Sequence, residues 1–346
     1  MRPKSREQLL ARLLLGAAAA TGAMLLARRA LANRRELRGK VVVVCGGSRG
    51  LGRALAHELV RQGARVAICG RSAESLEQTR VWLQSFGRPV MAEVCDLRQR
   101  EQTASFLARV EQQLGPIDVL IANAATIDVA PIEALGVEDF DAALREILGS
   151  AMHAALAVLP AMQARGRGNL TFIASIGGKL AVPHLAPYST AKFAVIGFAE
   201  ALSAELAKDG VRVLTVTPGL MRTGSHLHAT FRGNAARELG WFGASATAPL
   251  LSIDADRAAR RIVSAIDRGD RYLTFTPAAY VGAWLHDAAP NVWAHIAAIA
   301  ARLLPRAPEG ERRSGKREGV ELLDGSSLLL RYLAKISAPL AVKHGQ

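Results

Sequence analysis

The sequence predicts an α/β fold built on a doubly wound parallel sheet of about seven strands, and three observations lead to it. From Gly39 onward short β-branched runs alternate with longer amphipathic stretches, the pattern of a parallel sheet covered by helices on both faces. A glycine-rich turn joins the first run to the first helical stretch. Half of the 346 residues are hydrophobic and 21% are charged, which supplies a large core and argues against a mostly disordered chain.

In chain order the strands are expected at 41–45, 65–69, 90–95, 117–122, 169–174, 211–216 and 271–275, with helical stretches near 51–63, 73–86, 99–114, 138–164, 188–208 and 254–268. Residues 220–252 break the alternation with Gly, His, Thr and aromatics, the kind of insertion that covers a site in α/β enzymes. The chain thus divides into an N-terminal hydrophobic and basic segment, 1–38, a nucleotide-fold body, 39–276, and a helical C-terminal extension, 277–346. The charged, Gly- and Arg-rich run at 306–319 reads as a flexible linker.

The formal net charge of +14 points first to nucleic acid, so its distribution matters. Residues 1–40 hold ten Lys/Arg against two acids, and residues 305–346 hold eight against five, which leaves the body almost neutral. Without clustered cations on the body, and with only 5% aromatics for stacking, nucleic-acid binding is excluded. The three cysteines have no Cys-x-x-Cys spacing and read as reduced cytosolic thiols rather than a disulfide framework or a zinc site.

The stretch 9–27 carries a single charge, Arg12, and as a helix would extend about 28 Å, close to the thickness of a bilayer's hydrocarbon core. A membrane anchor is the preferred reading, with a surface helix and a cleaved signal as the competing ones. The basic residues that follow it would keep the body on the cytoplasmic side.

The first strand ends in Cys45-Gly46-Gly47-Ser48-Arg49-Gly50-Leu51-Gly52 and a helix begins at once, the context of a dinucleotide site. Glycines let the backbone turn sharply and approach a pyrophosphate, whose charge the helix start attracts. The contact set of this turn is Gly46, Ser48, Arg49, Gly50, Leu51 and Gly52. The second strand ends in Cys69-Gly70-Arg71, with no carboxylate for a ribose hydroxyl. Arg71, with Arg49 as a second cation, suits a 2′-phosphate, so NADP(H) is preferred over NAD(H), although both could be solvated surface residues. Asp96, with Leu97 beside it, is placed either at the adenine or as a helix cap.

Tyr188 and Lys192 stand four apart on one helix face, and Ser175 follows the fifth strand at the sheet edge where ligands bind. Reduction of a carbonyl by hydride needs a proton on oxygen, and a tyrosine supplies it near neutrality if adjacent cations favour the phenolate. Lys192 would provide that field and Ser175 would hydrogen-bond the substrate oxygen. A core tyrosine with a lysine at its rim is the bland alternative.

Over about residues 39–276 the chain resembles the short-chain dehydrogenase/reductase family, a single-domain Rossmann-type fold. The resemblance rests on the glycine turn at Gly46, Gly50 and Gly52, then Asp96, Asn123, Ser175, Tyr188 with Lys192, and Pro218-Gly219 followed by Thr223. It implies that Tyr188 is the general acid/base, that Lys192 holds the nicotinamide ribose and lowers the tyrosine pKa, and that Ser175 orients the carbonyl. It also implies that Asn123 steadies the sheet beside the cofactor and that Pro218, Gly219 and Thr223 contact the nicotinamide half. The family often assembles through the helices near 99–114 and 138–164, so a dimer or tetramer is implied by analogy. Two positions depart from the family: Glu146 stands where asparagine usually supports a proton-relay water, and Ala122-Asn123-Ala124-Ala125 replaces Asn-Asn-Ala-Gly.

His226 and His228 lack a third ligand, so no metal is expected and both read as lid histidines touching substrate or solvent. Cys45, Cys69 and Cys95 at strand ends are read as packing residues. Phe231, Trp241 and Phe242 either line an apolar substrate pocket or form a separate lid core. The expected activity is interconversion of a carbonyl and an alcohol, with a lipophilic small-molecule substrate. A non-catalytic nucleotide-binding sensor or scaffold, and an epimerase or dehydratase, are the rivals.

Overall fold

The computed structural model describes residues 37–248, 252–307, 315–323 and 328–345. The segment 9–27, read from sequence as an anchor, lies outside the described residues, as do the middle of the expected 306–319 linker and residues 249–251 of the insertion.

In chain order the strands are β1 (Val41–Cys45), β2 (Arg65–Gly70), β3 (Val90–Val94), β4 (Ile117–Ala122), β5 (Asp128–Val129), β6 (Gly168–Ile173), β7 (Val211–Pro218), β8 (Leu220–Arg222), β9 (Thr230–Phe231), β10 (Ser252–Asp254), β11 (Tyr272–Phe275) and β12 (Arg317–Glu318). The helices of the body are α1 (Gly50–Arg61), α2 (Ala73–Gln84), α3 (Arg100–Leu114), α4 (Val137–Ala143), α5 (Ser150–Ala164), α6 (Ala186–Glu205), α7 (Ala235–Thr247) and α8 (Ala255–Arg268). A π-helical stretch, Leu144–Gly149, runs between α4 and α5. Four more helices follow: α9 (Pro277–Ala288), α10 (Pro290–Leu303), α11 (Gly319–Leu322) and α12 (Leu328–His344).

Seven strands pair in the order β11-β7-β6-β4-β1-β2-β3, all parallel, which makes a Rossmann-type sheet. Because the side-chain period of a strand is two, β1 sends Val42 and Val44 to one face and Val41, Val43 and Cys45 to the other. The first face packs on α1 and α8, through Leu55, Leu59 and Ile262 among others, and the second on α3, α5 and α6, through Phe106, Ala155 and Val195. The order of connections reverses between β1 and β4, and at such a switch point the carboxyl ends of the strands leave a crevice. Helix α8 illustrates the local logic: Asp254 caps its start by accepting from the N–H groups of Asp256 and Arg257, and Gly269 at φ +73° ends it in the left-handed region.

The insertion expected as a cover forms β8, a 3₁₀ turn at Ser225–Leu227, β9 and α7, with their own core around Leu239, Phe242 and Leu322. The expected linker stops short: Arg317 and Glu318 form β12, which pairs antiparallel with β9, so the C-terminal extension straps the cover. Backbone pairing to an available edge orders a segment whose composition reads as linker. Among the described residues, the helical run Val137–Ala164 is long and apolar enough to cross a membrane. It packs instead against α3, α6 and β4 as a core element.

Ile262 is fully buried between α8 and the sheet. Ile262→Ala is expected to cost about 2–5 kcal/mol through lost burial and a residual cavity. Urea unfolding should show a lower midpoint at unchanged slope, and an unaltered midpoint would mean that α8 does not seal this core.

Candidate active site

The crevice holds a cavity of about 710 Å³. Its floor is the glycine turn. Gly46 (φ +73°) and Gly50 (φ +54°) occupy the left-handed region. A Cβ on Gly52 would lie 1.9 Å from the Gly46 carbonyl oxygen, and one on Gly46 would lie 2.8 Å from the Cα of Ala124. The N–H groups of Gly46 and Gly47 donate to the Cys69 carbonyl, and Asn123 Nδ2 donates to the Gly46 carbonyl at 2.9 Å. Arg49 precedes α1 without a side-chain cap and no acid lies in the first turn, so the helix start presents free N–H groups and positive dipole to the cavity. That cradle fits a diphosphate.

Three arginines gather beyond it. Arg49 Nε and Nη2 donate to Ser75 Oγ at 3.0 and 2.7 Å. Arg71 pairs with Glu146 at 3.0 Å, and Arg98 reaches both Glu146 (3.3 Å) and Asp96 (2.7 Å). Asp96 therefore does not cap α3, whose start has no side-chain cap; its carboxylate turns back onto Arg98, which holds its pKa below the usual range. Asp96, Glu146 and, from β12, Glu318 line the cavity with these three guanidinium groups, so the formal charges at this end balance.

At the other end stand Ser175, Tyr188 and Lys192, all on the cavity wall. Ser175 ends the β6 connection and accepts from the Gly177 N–H at 3.0 Å, which fixes its hydroxyl. Dense surroundings push the Tyr188 phenol above its ordinary pKa, while a hydrogen bond with Ser175 pulls it down. Lys192 is 3% exposed, and burial lowers its pKa to about 7. Its Nζ donates to the Ile173 carbonyl at 2.8 Å and lies 5.7 Å from the Tyr188 ring centroid. The sequence expectation that Lys192 depresses the phenol differs from this balance: desolvation dominates both groups, and the lysine's donor is aimed at a backbone oxygen.

Glu146 sits on the π-helical stretch, and its carboxylate contacts Arg71, Arg98 and Thr126. The carboxylate at the position where the resemblance places a relay asparagine therefore faces the arginines. Leu97, Pro218, Gly219 and Thr223 line the cavity with Ser48, Gly50 and Leu51, whereas Gly52 lies beneath the turn as a packing position. The aromatics divide: Trp241 and Phe242 face the cavity, while Phe231 is fully buried in the cover's core. His228 faces the cavity beside Arg49. His226 touches neither solvent nor the cavity, being 1% exposed and hydrogen-bonded to Ser337 of α12 at 2.6 Å, with its pKa lowered by burial to about 4.

Sequence reasoning missed several groups. Arg98 completes the arginine cluster two residues after Asp96, a spacing that alone marks nothing. Glu318 reaches the cavity from β12 and approaches His228 at 3.5 Å. Glu238, fully buried on α7, pairs with His184 Nδ1 at 2.9 Å and accepts from Trp241 Nε1 at 2.6 Å, tying the cover to the loop that leads into Tyr188. The three cysteines are free and buried, with Cys45 and Cys69 in register on neighbouring strands.

Known proteins carry the same frame. The family profile described as short chain dehydrogenase matches residues 40–230. A Drosophila melanogaster protein named dehydrogenase/reductase SDR family protein 7-like is 33% identical over 241 residues, covering 68% of this chain and 72% of its own. Among solved structures, a short-chain dehydrogenase from Streptomyces avermitilis superposes with a TM-score of 0.66 at 26% identity, over 76% of this chain and 97% of that one. The actinorhodin polyketide ketoreductase with NADPH gives 0.60 at 28% identity, over 68% and 95%. The chain belongs to the short-chain dehydrogenase family, and its homologues make it an oxidoreductase acting between CH–OH and C=O.

Asn123→Ala removes the donor that holds the Gly46 carbonyl. A stability loss of about 0.5–1.5 kcal/mol is expected, together with weaker dinucleotide binding. Urea unfolding and fluorescence titration with NADPH would measure both; unchanged affinity would show that this bond does not shape the turn.

Proposed function

Starting from that membership, we propose that the protein interconverts a lipophilic ketone or aldehyde and its alcohol with NADP(H), using Tyr188 as proton donor and acceptor. The observation that carries the reading is the convergence of Ser175, Tyr188 and Lys192 on one cavity that also holds the glycine cradle. A bound nicotinamide supplies or accepts the hydride. The chain's own residues do the rest. Ser175, held by the Gly177 N–H, offers its hydroxyl proton to the substrate oxygen. Tyr188 is kept protonated by its surroundings and gives its proton to that oxygen as negative charge develops there. Lys192, anchored on the Ile173 carbonyl, carries its charge below about pH 7 and steadies the phenolate that remains.

Arg49 and Arg71, with no acid at the end of β2, favour a 2′-phosphate, and Arg98 adds a third cation within the same cluster. Trp241, Phe242, Val182, Leu185 and Met221 give the substrate end an apolar wall, which selects a lipophilic molecule.

Tyr188→Phe removes the exchangeable proton with little change in shape. Turnover of hydrophobic carbonyls with NADPH should fall by about 10²–10⁴-fold, the usual worth of a general acid. NADPH binding without turnover in either protein would favour a sensor. Replacing Arg49 and Arg71 together with alanine should weaken NADPH by about ten- to a hundredfold more than NADH, as expected for one or two charge-assisted hydrogen bonds. An equal loss for both cofactors would remove the 2′-phosphate assignment. Because burial lowers Lys192 to about 7, kcat/KM for NADPH, which reports groups of the free protein, should decline as pH rises through that value. A flat profile to high pH would contradict a charged role for Lys192.

A further inference from the structure

Helices α9 and α10 leave the sheet edge as a hairpin directly after β11. Their apolar side chains do not serve the core. No residue of α10 is buried, and in α9 only Ala279 is. On α10, Val292, Ile296, Ile299 and Leu303 follow at i, i+4, i+7 and i+11, which is one helical face, and they are 52%, 43%, 59% and 83% exposed. Tyr280 and Trp284 of α9 add exposed rings of the amphipathic kind that settle at a membrane–water boundary. An exposed apolar surface of this extent marks a contact with something else.

The chemistry of the occupant follows from charge and length. Over residues 277–307 the sequence holds one carboxylate, Asp287, paired with His286 at the end of α9, while Arg302 and Arg306 stand at the end of the apolar stripe, so the α10 face is apolar with a basic margin. At 14 residues α10 is about 21 Å long, shorter than a hydrocarbon core, so it is suited to lying in an interface and not to spanning one.

We propose that the α9–α10 hairpin docks on an anionic phospholipid bilayer, with the Val292–Leu303 stripe in the acyl boundary and Arg302 and Arg306 among the headgroups. The hairpin is rooted against the cavity's lining: the backbone at Gly219, which lines the cavity, abuts Thr276 and Ala279, and Gly282 abuts Leu180. Docking would therefore hold the Gly219 side of the cavity near the lipid surface. Delivery of a lipophilic carbonyl by that route rests on the proposed function, whereas the docking itself does not.

The test uses the full chain with a nitroxide on Ile296→Cys, an exposed site; the native thiols are buried, so labelling is selective. Collision rates with oxygen and with a water-soluble nickel chelate are read by electron paramagnetic resonance. The probes are phosphatidylcholine vesicles with and without phosphatidylserine. The expected result is a several-fold loss of nickel access and a gain of oxygen access on vesicles containing phosphatidylserine, with a smaller change on neutral ones. A label still open to nickel on vesicle-bound protein would overturn the proposal, because another segment then holds the membrane. Equal immersion in both vesicles would overturn the anionic preference. Concentration-dependent shielding without vesicles would overturn the bilayer in favour of a second copy. None of these readouts depends on catalytic activity.

Discussion

A single steric exclusion organises the molecule around its cavity. At the start of α1 the helix comes so close to the preceding turn that a methyl group on Gly52 would overlap the Gly46 carbonyl, and that same carbonyl accepts from Asn123, directly after β4, whose amide lies beside Gly52. The helix start, the first strand and the fourth are therefore locked together at the point where the sheet's connections reverse. Everything a dinucleotide needs, namely room for its backbone, free N–H groups and positive potential, follows from that approach. The candidate catalytic residues all follow one strand, with Ser175 directly after β6 and Tyr188 and Lys192 on α6, the next helix.

The two ends of the cavity use electrostatics in opposite ways. At the arginine end charges are partly exposed and compensate each other, so an incoming anion exchanges one partner for another at modest cost. At the end lined by Ser175, Tyr188 and Lys192, the lysine is nearly sealed from water, and burial lowers its pKa because an ammonium is costly there. Partners that can be swapped suit binding, while a buried charge with few partners is set by its surroundings.

The seven-stranded sheet was legible because β-branched runs and glycine turns are local signals, and the expected strands differ from the observed ones by one or two residues at their ends. The glycine turn and the Ser175, Tyr188 and Lys192 set are local signals of the same kind, carried by residue type and spacing, and the fold brings them to one cavity. What sequence could not convey depends on side chains meeting across the chain. Arg98 joins the arginine cluster only because Glu146 projects from a π-helical stretch toward it. His226 reads as a surface histidine until Ser337, 111 residues away, is found closing over it. Arg317 and Glu318 look like linker because the edge that orders them belongs to β9, in a distant segment.

That last pairing bears on how the protein comes into being. Arg49 in the glycine turn lies beside His228 of the cover, and His228 faces Glu318 on β12. The wall they share joins three segments far apart in the chain. A chain emerging from the ribosome can complete most of its central sheet while this wall is still missing, so the nascent protein has a nucleotide cradle open to solvent on one side. Enclosure of the chamber therefore waits on a segment that follows every strand of the central sheet in the chain.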